Sequence, residues 1–317
     1  MTSSETADPG SARSGRVRFA TFNVLHGRPV QDGRPLPVPA ADGPETPLVR
    51  AVASLDADVL ALQELDRLQE RSGGVDQAAA AAAGSGARYW RYASAFHGTA
   101  TPGGGWVPAP SEPGLRVYGP READAGAGAP SHGVALLSRL PVRRWSALRL
   151  APAPLPMPLR TPGRPGLTLS WDQPRAVLAA VLEGPRGPFT VVALHLSFVP
   201  GWNIRQLRTV RAWIAGLPRP RVLLGDFNLP GAVPRAVLGP AGPGGGSGLP
   251  RTGRANPLAP PHGWRDLART PTYPAHRPLV QLDHVLADGI GAGSVRGVQA
   301  PSTPISDHRA LVVELPL

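Results

Sequence analysis

Short apolar runs recur along the chain from Val17 to Leu315, and segments rich in Gly and Pro separate them. This pattern constrains the fold most, because continuous apolar runs of roughly four to eight residues between turn residues are typical of strands buried on both faces. The predicted strands are Val17–Phe22, Val59–Gln63, Gly133–Ser138, Ala176–Leu182, Phe189–Leu196, Val222–Gly225, Gln281–Ala287 and Leu311–Leu315.

The predicted helices are fewer than the predicted strands. A mostly apolar stripe at helical spacing predicts a helix over Ile204–Ile214, and Leu48–Leu55 is also expected to be helical. The alanine run Ala78–Ala83 follows Asp76, a favourable N-cap residue, and precedes two glycines that can end a helix. Because helices and strands are mixed along the chain, we expect sheets with helices packed outside them.

No clean linker divides the chain. We therefore expect one domain over residues 16–317, preceded by a disordered polar tail over residues 1–15. Three segments that hold most of the Gly and Pro are predicted to be irregular loops, Gly98–Pro130, Ala151–Gly166 and Pro230–Gly263. The first and last of these are expected to flank the substrate mouth.

The composition limits both the location and the metal chemistry. No stretch approaches the roughly 20 apolar residues of a transmembrane helix, and the first residues do not form a secretory signal. These absences lead us to expect a cytoplasmic protein without stable membrane insertion. We also expect a monomer. The chain has no Cys, so a metal ion is expected to bind through Asp, Glu, Asn or His.

The formal net charge is +11, and all 33 basic residues are Arg because the sequence contains no Lys. A basic surface attracts polyanions such as nucleic acid or anionic lipid headgroups. A biased coding composition explains the charge equally well, because no dense Arg run marks a binding arm. The sequence also lacks an aromatic-rich basic arm that would stack nucleic-acid bases.

Polar residues lie at or beside the ends of the predicted strands. Polar side chains at the ends of buried strands can converge at one edge of a sheet, so distant residues are expected to form one site. Each residue alone has a simpler explanation, such as a turn at Asn23 or a cap at Asp307. The candidate residues are Asn23, Glu64, His195, Asp226, Asn228, Asp283, Asp307 and His308.

Several strings contain these residues, and they occur in the order TFNVLHG, LQELD, HGVALLSR, ALHLS, GDFN, LDHVLA and SDHRAL. In this order they resemble the endonuclease/exonuclease/phosphatase family, which includes DNase I-like nucleases, neutral sphingomyelinases and inositol polyphosphate phosphatases. The resemblance spans about Val17 to Leu315, and GDFN with the C-terminal SDH is its most specific part. It implies an α/β (α+β) fold, a four-layer sandwich of two mostly antiparallel β-sheets flanked by helices.

The resemblance also implies metal-dependent hydrolysis of a phosphodiester bond. Mg²⁺ or Mn²⁺ is the expected cofactor, with Asn23, Glu64 and Asp307 at the metal. Mg²⁺ is a hard cation that prefers oxygen ligands, which agrees with these residue types. Both one ion and two ions fit the same ligands.

The remaining roles follow from the same resemblance. Asp226 would activate the attacking water, and Asn228 would position it. His308 would act in acid–base chemistry, with Asp283 fixing its tautomer and raising its pKa. His195 resembles a histidine that DNase I-like and sphingomyelinase-like members have in this strand, where exonuclease III-like enzymes tend to have an Asn-rich segment. His195 is expected to be a general acid.

Some residues receive weaker assignments. Arg175 is a candidate phosphate contact, and Glu112 is a guess for the carboxylate partner of His195. His284 is expected to point to the opposite face from Asp283. Trp202 and Asn203 are candidates for the substrate mouth.

The substrate class stays open. Nucleic acid and a smaller phosphoester are both compatible with the sequence, and the positive charge mildly favours nucleic acid. An inositol-phosphate-type phosphomonoesterase is one alternative. A non-catalytic binding module that retains the fold is another, although none of the key carboxylates is missing.

Overall fold

The computed structural model describes residues 15–36, 46–101, 105–123, 128–159, 166–239, 263–291 and 293–317. The predicted tail lies outside these residues apart from Gly15, and so does most of the predicted loop Pro230–Gly263. The described helices are α1 (Pro47–Ser54), α2 (Gln77–Ser85), α3 (Pro120–Ala123), α4 (Trp202–Trp213) and α5 (Val233–Leu238), with 3-10 turns at Leu25–Gly27 and Glu70–Ser72.

Strands account for most of the regular structure in the described residues, as the apolar runs predict. They are β1 (Val17–Asn23), β2 (Val30–Gln31), β3 (Arg34–Pro35), β4 (Val59–Arg67), β5 (Tyr89–Ser94), β6 (Gly98–Ala100), β7 (Trp106–Pro108), β8 (Arg116–Tyr118), β9 (Ser131–Ser138), β10 (Val142–Leu150), β11 (Met157–Leu159), β12 (Thr168–Ser170), β13 (Arg175–Gly184), β14 (Gly187–His195), β15 (Arg221–Asp226), β16 (Trp264–Asp266), β17 (Asp283–Asp288), β18 (Gly297–Gln299) and β19 (Leu311–Leu315).

The longer strands form two large sheets. The first has the order β18-β19-β1-β4-β9-β5-β8, and the second has the order β10-β13-β14-β15-β17-β16. Within the described ranges, each sheet has one parallel pair, β1 with β4 and β14 with β15, and its other neighbouring strands are antiparallel. The prediction of two mostly antiparallel sheets is therefore confirmed.

Three clusters of buried apolar side chains define the layers. One cluster lies between the two sheets and includes Phe19 of β1 and Phe189 of β14, whose rings meet edge to face with centroids 6.0 Å apart. A second cluster packs α1 and α2 against the first sheet, and a third packs α4 and α5 against the second. The order helix, sheet, sheet, helix confirms the predicted four-layer sandwich.

The three predicted helices correspond to α1, α2 and α4, each within two residues of its predicted bounds, whereas α3 and α5 were not predicted. Asp76 caps α2 by accepting a hydrogen bond from the Ala79 backbone N–H at 3.0 Å, and Gly86 ends this helix with a φ of +67°. Glycine adopts this left-handed conformation without the steric cost of a Cβ. Thr46 caps α1 in the same way as Asp76 caps α2. None of the helices in the described ranges has the length and apolar character needed to cross a membrane.

Two segments predicted to be irregular loops contain strands. The segment Gly98–Pro130 includes β6, β7 and β8 and the short helix α3, and Ala151–Gly166 includes β11, which pairs with β12. The prediction was wrong here because strands of three residues are too short to show a hydrophobic period. The described part of Pro230–Gly263 contains α5.

The two parallel pairs determine where the polar strand ends lie. Neighbouring parallel strands end at the same edge of a sheet, so Asn23 at the end of β1 lies opposite the residue before Glu64 in β4. In the second sheet His195 at the end of β14 lies opposite Asp226 at the end of β15. The antiparallel strand β17 begins with Asp283 opposite Asp226. Residues distant in sequence therefore meet at one edge of the sandwich.

Candidate active site

Asn23 lies between two of the other candidate residues and connects the two sheets. Its Nδ2 donates hydrogen bonds to Glu64 Oε1 in the first sheet and to Asp226 Oδ2 in the second, both at 3.1 Å. Its Oδ1 accepts from the backbone N–H of Leu25 at 3.1 Å, which fixes the orientation of the amide. One buried amide therefore bridges two carboxylates that belong to different sheets.

Glu64 lies at an irregularity within β4. The pairing of β4 with β9 shifts register between Leu62 and Leu65, and Glu64 has a φ of +58°. A left-handed backbone at a non-glycine residue costs roughly 1–3 kcal/mol, and a bulge re-aims the side chain at that position. The sequence-based expectation that the strand ends before Glu64 was wrong, since β4 continues to Arg67 and the bulge turns Glu64 towards the site.

The carboxyl group of Glu64 is held in its ionised form. Burial raises the pKa of Glu64, but nearby His195 and His132 and the hydrogen bond from Asn23 lower it to about 2. Its Oε1 accepts from Asn23, and Oε2 has no hydrogen bond within the described part of the chain. Glu64 therefore has the charge and the available oxygen that a metal ligand needs.

Asp307 is half-buried near Glu64. Burial raises the pKa of Asp307, His308 opposes this increase, and the negative charge of Glu64 adds to it. The negative charge of Glu64 is therefore felt at Asp307. The two carboxylates are the type of oxygen donor that a hard divalent cation prefers, whereas Asn23 presents its Nδ2 to Glu64 and its Oδ1 to the Leu25 backbone, which disagrees with its expected role as a metal ligand.

His308 is held between two carboxylates. Its Nδ1 donates to Asp283 Oδ2 at 2.8 Å, and its Nε2 lies 3.9 Å from Asp226 Oδ2. Thr272 Oγ1 donates to the same oxygen of Asp283 at 2.6 Å. Burial lowers the pKa of His308, but Asp283, Asp226 and Asp307 raise it to about 10. The ring is therefore an imidazolium at neutral pH.

Asp226, Asp283 and His308 also bring potential ligand atoms within 4.8 Å of one another. The hydrogen bond between His308 and Asp283 already occupies the shared space, and a positive ring lies between the two carboxylates. A second cation would repel this imidazolium. The group is therefore better suited to transferring a proton than to binding a metal.

Both carboxylate oxygens of Asp226 accept hydrogen bonds that fix the orientation of the group. Its Oδ1 accepts from the backbone N–H of Asn228 at 2.9 Å, and its Oδ2 accepts from Asn23. Burial raises the pKa of Asp226, His308 opposes the increase, and the result is about 6. A carboxylate with a pKa near neutrality is suited to accepting a proton from water.

Backbone geometry also restricts which residues can occupy the two ends of the GDFN segment, Gly225 and Asn228. A Cβ at Gly225 would collide with the carbonyl oxygen of Leu194, so only glycine allows β15 to approach β14 this closely. Asn228 has a φ of +49°, which Asn tolerates better than most residues. Asn203 Nδ2 donates to the Asn228 carbonyl at 2.9 Å and holds this turn in place.

His195 is a neutral ring in this environment. Its Nδ1 lies 3.4 Å from Arg175 Nη1, and its Nε2 lies 3.5 Å from Asp226 Oδ2 and 3.2 Å from Asn228 Nδ2. Arg175 can only donate, so Nδ1 accepts and the hydrogen is assigned to Nε2. The Asn228 amide donates instead to the Leu196 carbonyl at 3.0 Å. Burial lowers the pKa of His195 well below its usual value, and Arg175 lowers it further.

Several weaker assignments differ from the structure. Glu112 is not the partner of His195, because its Oε1 lies 3.3 Å from His97 Nδ1 and accepts from the His97 backbone N–H. The carboxylate nearest to His195 in the described residues is Asp226. Trp202 does not line the site cleft but donates from its indole to the Ala151 carbonyl at 2.8 Å.

His284 lies on the face opposite to Asp283, as the alternation of side chains predicts. Its Nδ1 lies 3.0 Å from Gln281 Nε2, and its Nε2 lies 2.9 Å from the Leu229 carbonyl oxygen. His284 is fully buried, and its ring meets that of Phe227 edge to face at 5.2 Å. These contacts make it a packing residue.

A cleft of about 810 Å³ opens beside the site, and sequence reasoning missed part of its lining. Three of the candidate residues, Glu64, His195 and Arg175, line it. His26 and His132 also line it, although neither received a role. Both lie within the strings TFNVLHG and HGVALLSR, so their proximity to the motif residues was the signal available.

A buried ion pair supports this side of the cleft. Asp66 accepts from Arg71 Nε at 2.7 Å, from Arg71 Nη2 at 2.8 Å and from His132 Nδ1 at 2.8 Å. The burial of Asp66 raises its pKa, but these hydrogen bonds hold that pKa well below its usual range. The paired geometry fixes the guanidinium of Arg71 at the cleft wall.

A model of the Endonuclease/Exonuclease/phosphatase family matches residues 20–308. The chain therefore belongs to this family, whose members are hydrolases that act on phosphate esters and are generally metal-dependent. A search of curated proteins gave no significant match.

Solved structures share the same fold at low sequence identity. An endonuclease/exonuclease/phosphatase protein of Beutenbergia cavernae is 20% identical, with a TM-score of 0.52, and the alignment covers 95% of this chain and 71% of that chain. A mannosyl-6-phosphatase of Bacteroides thetaiotaomicron is 13% identical, with a TM-score of 0.51 and coverages of 94% and 99%. TDP2 of D. rerio, in a complex with a single-strand DNA product, is 13% identical, with a TM-score of 0.51 and coverages of 94% and 98%. At these identities the likeness establishes the fold and leaves the substrate open.

Proposed function

We propose that this protein hydrolyses a phosphodiester bond with the help of a divalent cation, Mg²⁺ or Mn²⁺. The observation that supports this most is the position of Asn23, whose amide lies 3.1 Å from both Glu64 and Asp226. Hydrolysis of an anionic ester requires charge neutralisation and an oriented water. One carboxylate is suited to each task, and Asn23 holds the two side by side.

Glu64 and Asp307 would hold the cation, and Asn23 would fix the carboxylate of Glu64 through its Nδ2. When bound, the cation would neutralise negative charge on the phosphate oxygens. Arg175 lines the same cleft and would donate hydrogen bonds to phosphate from the side of His195.

Asp226 would accept the proton of the attacking water, which its pKa of about 6 allows at neutral pH. Asn228 would help to position that water from the turn that follows β15. His308 would stabilise the developing negative charge with its imidazolium and supply a proton, and Asp283 would keep the ring charged. His195 would donate a hydrogen bond from its neutral Nε2 to a phosphate oxygen, a role that its lowered pKa favours over proton donation.

Hydrolysis of bis-p-nitrophenyl phosphate tests this proposal directly. We expect turnover with Mg²⁺ or Mn²⁺ and none with EDTA. Glu64→Gln and Asp226→Asn should each lower kcat by about 100-fold or more, since each removes a charge that the reaction uses. Glu70→Gln is a matched control, because Glu70 is an exposed carboxylate outside the cleft lining.

The alternatives predict different results. Faster hydrolysis of p-nitrophenyl phosphate or of inositol phosphates than of the diester would identify a phosphomonoesterase. A folded protein that turns over neither aryl diesters nor oligonucleotides with either metal would contradict the proposal and favour a binding module.

A further inference from the structure

The cleft beside the site is larger than the reacting phosphate requires. Its volume of about 810 Å³ falls in the range of pockets that enclose whole small ligands. Glu64, His195 and Arg175 line the part that belongs to the proposed reaction. The rest of the cleft is available to the group that is esterified to the phosphate.

Aromatic side chains line much of this remaining space. Phe96 follows β5, Trp106 lies in β7, Trp171 follows β12 and Phe198 follows β14. Trp171 is 64% exposed, and it makes no ring or cation–π contact with the described residues. An exposed tryptophan at a cleft offers a flat apolar face for a planar ligand to stack on.

Trp106 contacts three other side chains. The Arg71 guanidinium lies 5.0 Å from the centroid of its ring, and the ring of Phe96 meets it edge to face at 5.6 Å. The His132 ring lies 5.4 Å away on a tilted plane. Asp66 accepts hydrogen bonds from both Arg71 and His132, so the indole packs against side chains that are themselves anchored, and a preorganised contact lowers the entropy cost of binding.

Polar groups lie among these rings. The side chain of Arg71 is 32% exposed, and Arg71 and His132 line the cleft. His26 lines it too, and its Nδ1 is buried with no hydrogen-bond partner among the described residues. An acyl chain would cover these groups without satisfying them, whereas the edge of a nucleobase carries donors and acceptors.

We propose that the cleft is a nucleobase subsite, in which the base next to the scissile phosphodiester stacks on Trp106 and Trp171 and its polar edge meets Arg71 and His132. This inference rests on the proposed phosphodiesterase function and names its substrate class as nucleotide diesters. The base has to be unpaired, because a base inside a duplex presents no free face. A single-stranded oligonucleotide or a small dinucleotide can supply it.

Binding without turnover tests the subsite. In EDTA, calorimetric titrations would compare a thymidine hexanucleotide, an abasic hexanucleotide with the same phosphates, and a thymidine dinucleotide. We expect the hexanucleotide with bases to bind at least roughly tenfold more tightly than the abasic one, the scale of stacking on aromatic side chains. Trp106→Leu and Trp171→Ala should each remove most of this preference. Val107→Ala is the matched control, because Val107 is 58% exposed beside Trp106 and does not line the cleft.

The comparison separates the outcomes. A dinucleotide that binds as tightly as the hexanucleotide would support a small nucleotide substrate, and tighter binding of the hexanucleotide would support a strand. Equal affinity for the abasic strand, or a preference that survives Trp171→Ala, would overturn the subsite. A further outcome is that the protein binds phosphatidylglycerol vesicles more tightly than the hexanucleotide. If Trp171→Ala abolished that binding, the result would overturn the subsite in favour of a lipid surface.

Failure of the subsite is distinguishable from failure of the proposed function. Hydrolysis of bis-p-nitrophenyl phosphate requires no base, so turnover without base preference would overturn the subsite alone. A base preference in a protein that hydrolyses no diester would leave the subsite and overturn the phosphodiesterase proposal.

Discussion

Asp283 is fully buried, and it does not line the cleft. In the proposed reaction Asp283 would therefore act through His308, whose Nδ1–H donates a hydrogen bond to it at 2.8 Å. Its Oδ1 has no hydrogen-bond partner among the described residues, so the carboxylate is compensated mainly at Oδ2, by His308 and Thr272. Under the proposed mechanism Asp283 is a positioning residue that would also maintain the charge of the imidazolium.

We expect Asp283→Asn to lower kcat by about 100-fold with little change in KM, because the ring loses its counter-charge while the cleft is unchanged. Thr272→Val keeps the carboxylate and removes one hydrogen bond to it, so its loss of kcat should be smaller. Steady-state kinetics with bis-p-nitrophenyl phosphate would measure both variants. A wild-type kcat in Asp283→Asn would show that the charge of His308 is not needed.

The residues of the proposed cation and water sites were accessible from the sequence, because each follows or precedes a strongly apolar run. Glu64 and Asp226 are examples, and the structure brings both to Asn23. The pairing of Arg71 with Asp66 was not accessible, since a 3-10 turn folds back on β4 without any characteristic spacing. These roles remain predictions until the variants are measured.

At the scale of elements, the segment that begins near His97 has more structure than its composition indicates. His97 is fully buried, its Nδ1 faces Glu112 Oε1 at 3.3 Å, and its Nε2 faces the Tyr118 hydroxyl at 2.8 Å. A neutral ring satisfies both contacts by donating to Glu112 and accepting from Tyr118. The network joins the start of β6 to β8 and stabilises a part of the chain whose strands are short.

This network predicts a pH dependence of stability. Burial lowers the pKa of His97, although Glu112 opposes the shift, so the folded state binds this proton less tightly than the unfolded state. The stabilisation is complete above the usual histidine pKa of about 6.5 and is lost as the pH falls towards the lower folded value. Urea unfolding at pH 7.5 and 5.5 should show a smaller loss of stability in His97→Gln than in the wild type. An identical loss in both would contradict the assignment.

Strands with long apolar runs were predictable, and edge strands were not. The central strands β13 and β14 are buried almost throughout, so their sequences are continuous apolar runs. The edge strand β10 is mostly exposed or half-buried, and its Arg and Ser residues conceal it from a hydrophobicity pattern. The bulge at Glu64 was also unpredictable, because no glycine marks it.

At the scale of the molecule, the candidate site is divided between the two sheets. Asn23 and Glu64 belong to the first sheet, whereas His195, Asp226 and Asp283 belong to the second. The apolar cluster between the sheets therefore sets the distances within the site. The cleft also combines aromatic residues from four separate segments, which explains why no aromatic-rich binding arm is visible in the sequence.

This arrangement predicts that activity and the packing between the sheets are lost together. Phe189 is fully buried in β14 and meets Phe19 of the other sheet, so Phe189→Ala should destabilise the protein by about 3–5 kcal/mol. In urea, the midpoints of tryptophan fluorescence and of diester hydrolysis should fall by the same amount with an unchanged slope. The fluorescence reports on both sheets, because Trp90 lies in the first and Trp264 in the second.

Leu155→Ala is the control for this comparison, because Leu155 is 72% exposed and its truncation should change stability by less than about 0.5 kcal/mol. Loss of activity at a lower urea concentration than the loss of fluorescence would mean that the sheets separate at the site before the core unfolds. In that case Asn23, rather than the packing of Phe19 on Phe189, would be the contact that holds Glu64 and Asp226 together. Coincident curves would instead show that the site is lost when the whole sandwich unfolds. The carboxylates would then keep their separation only while both sheets stay packed.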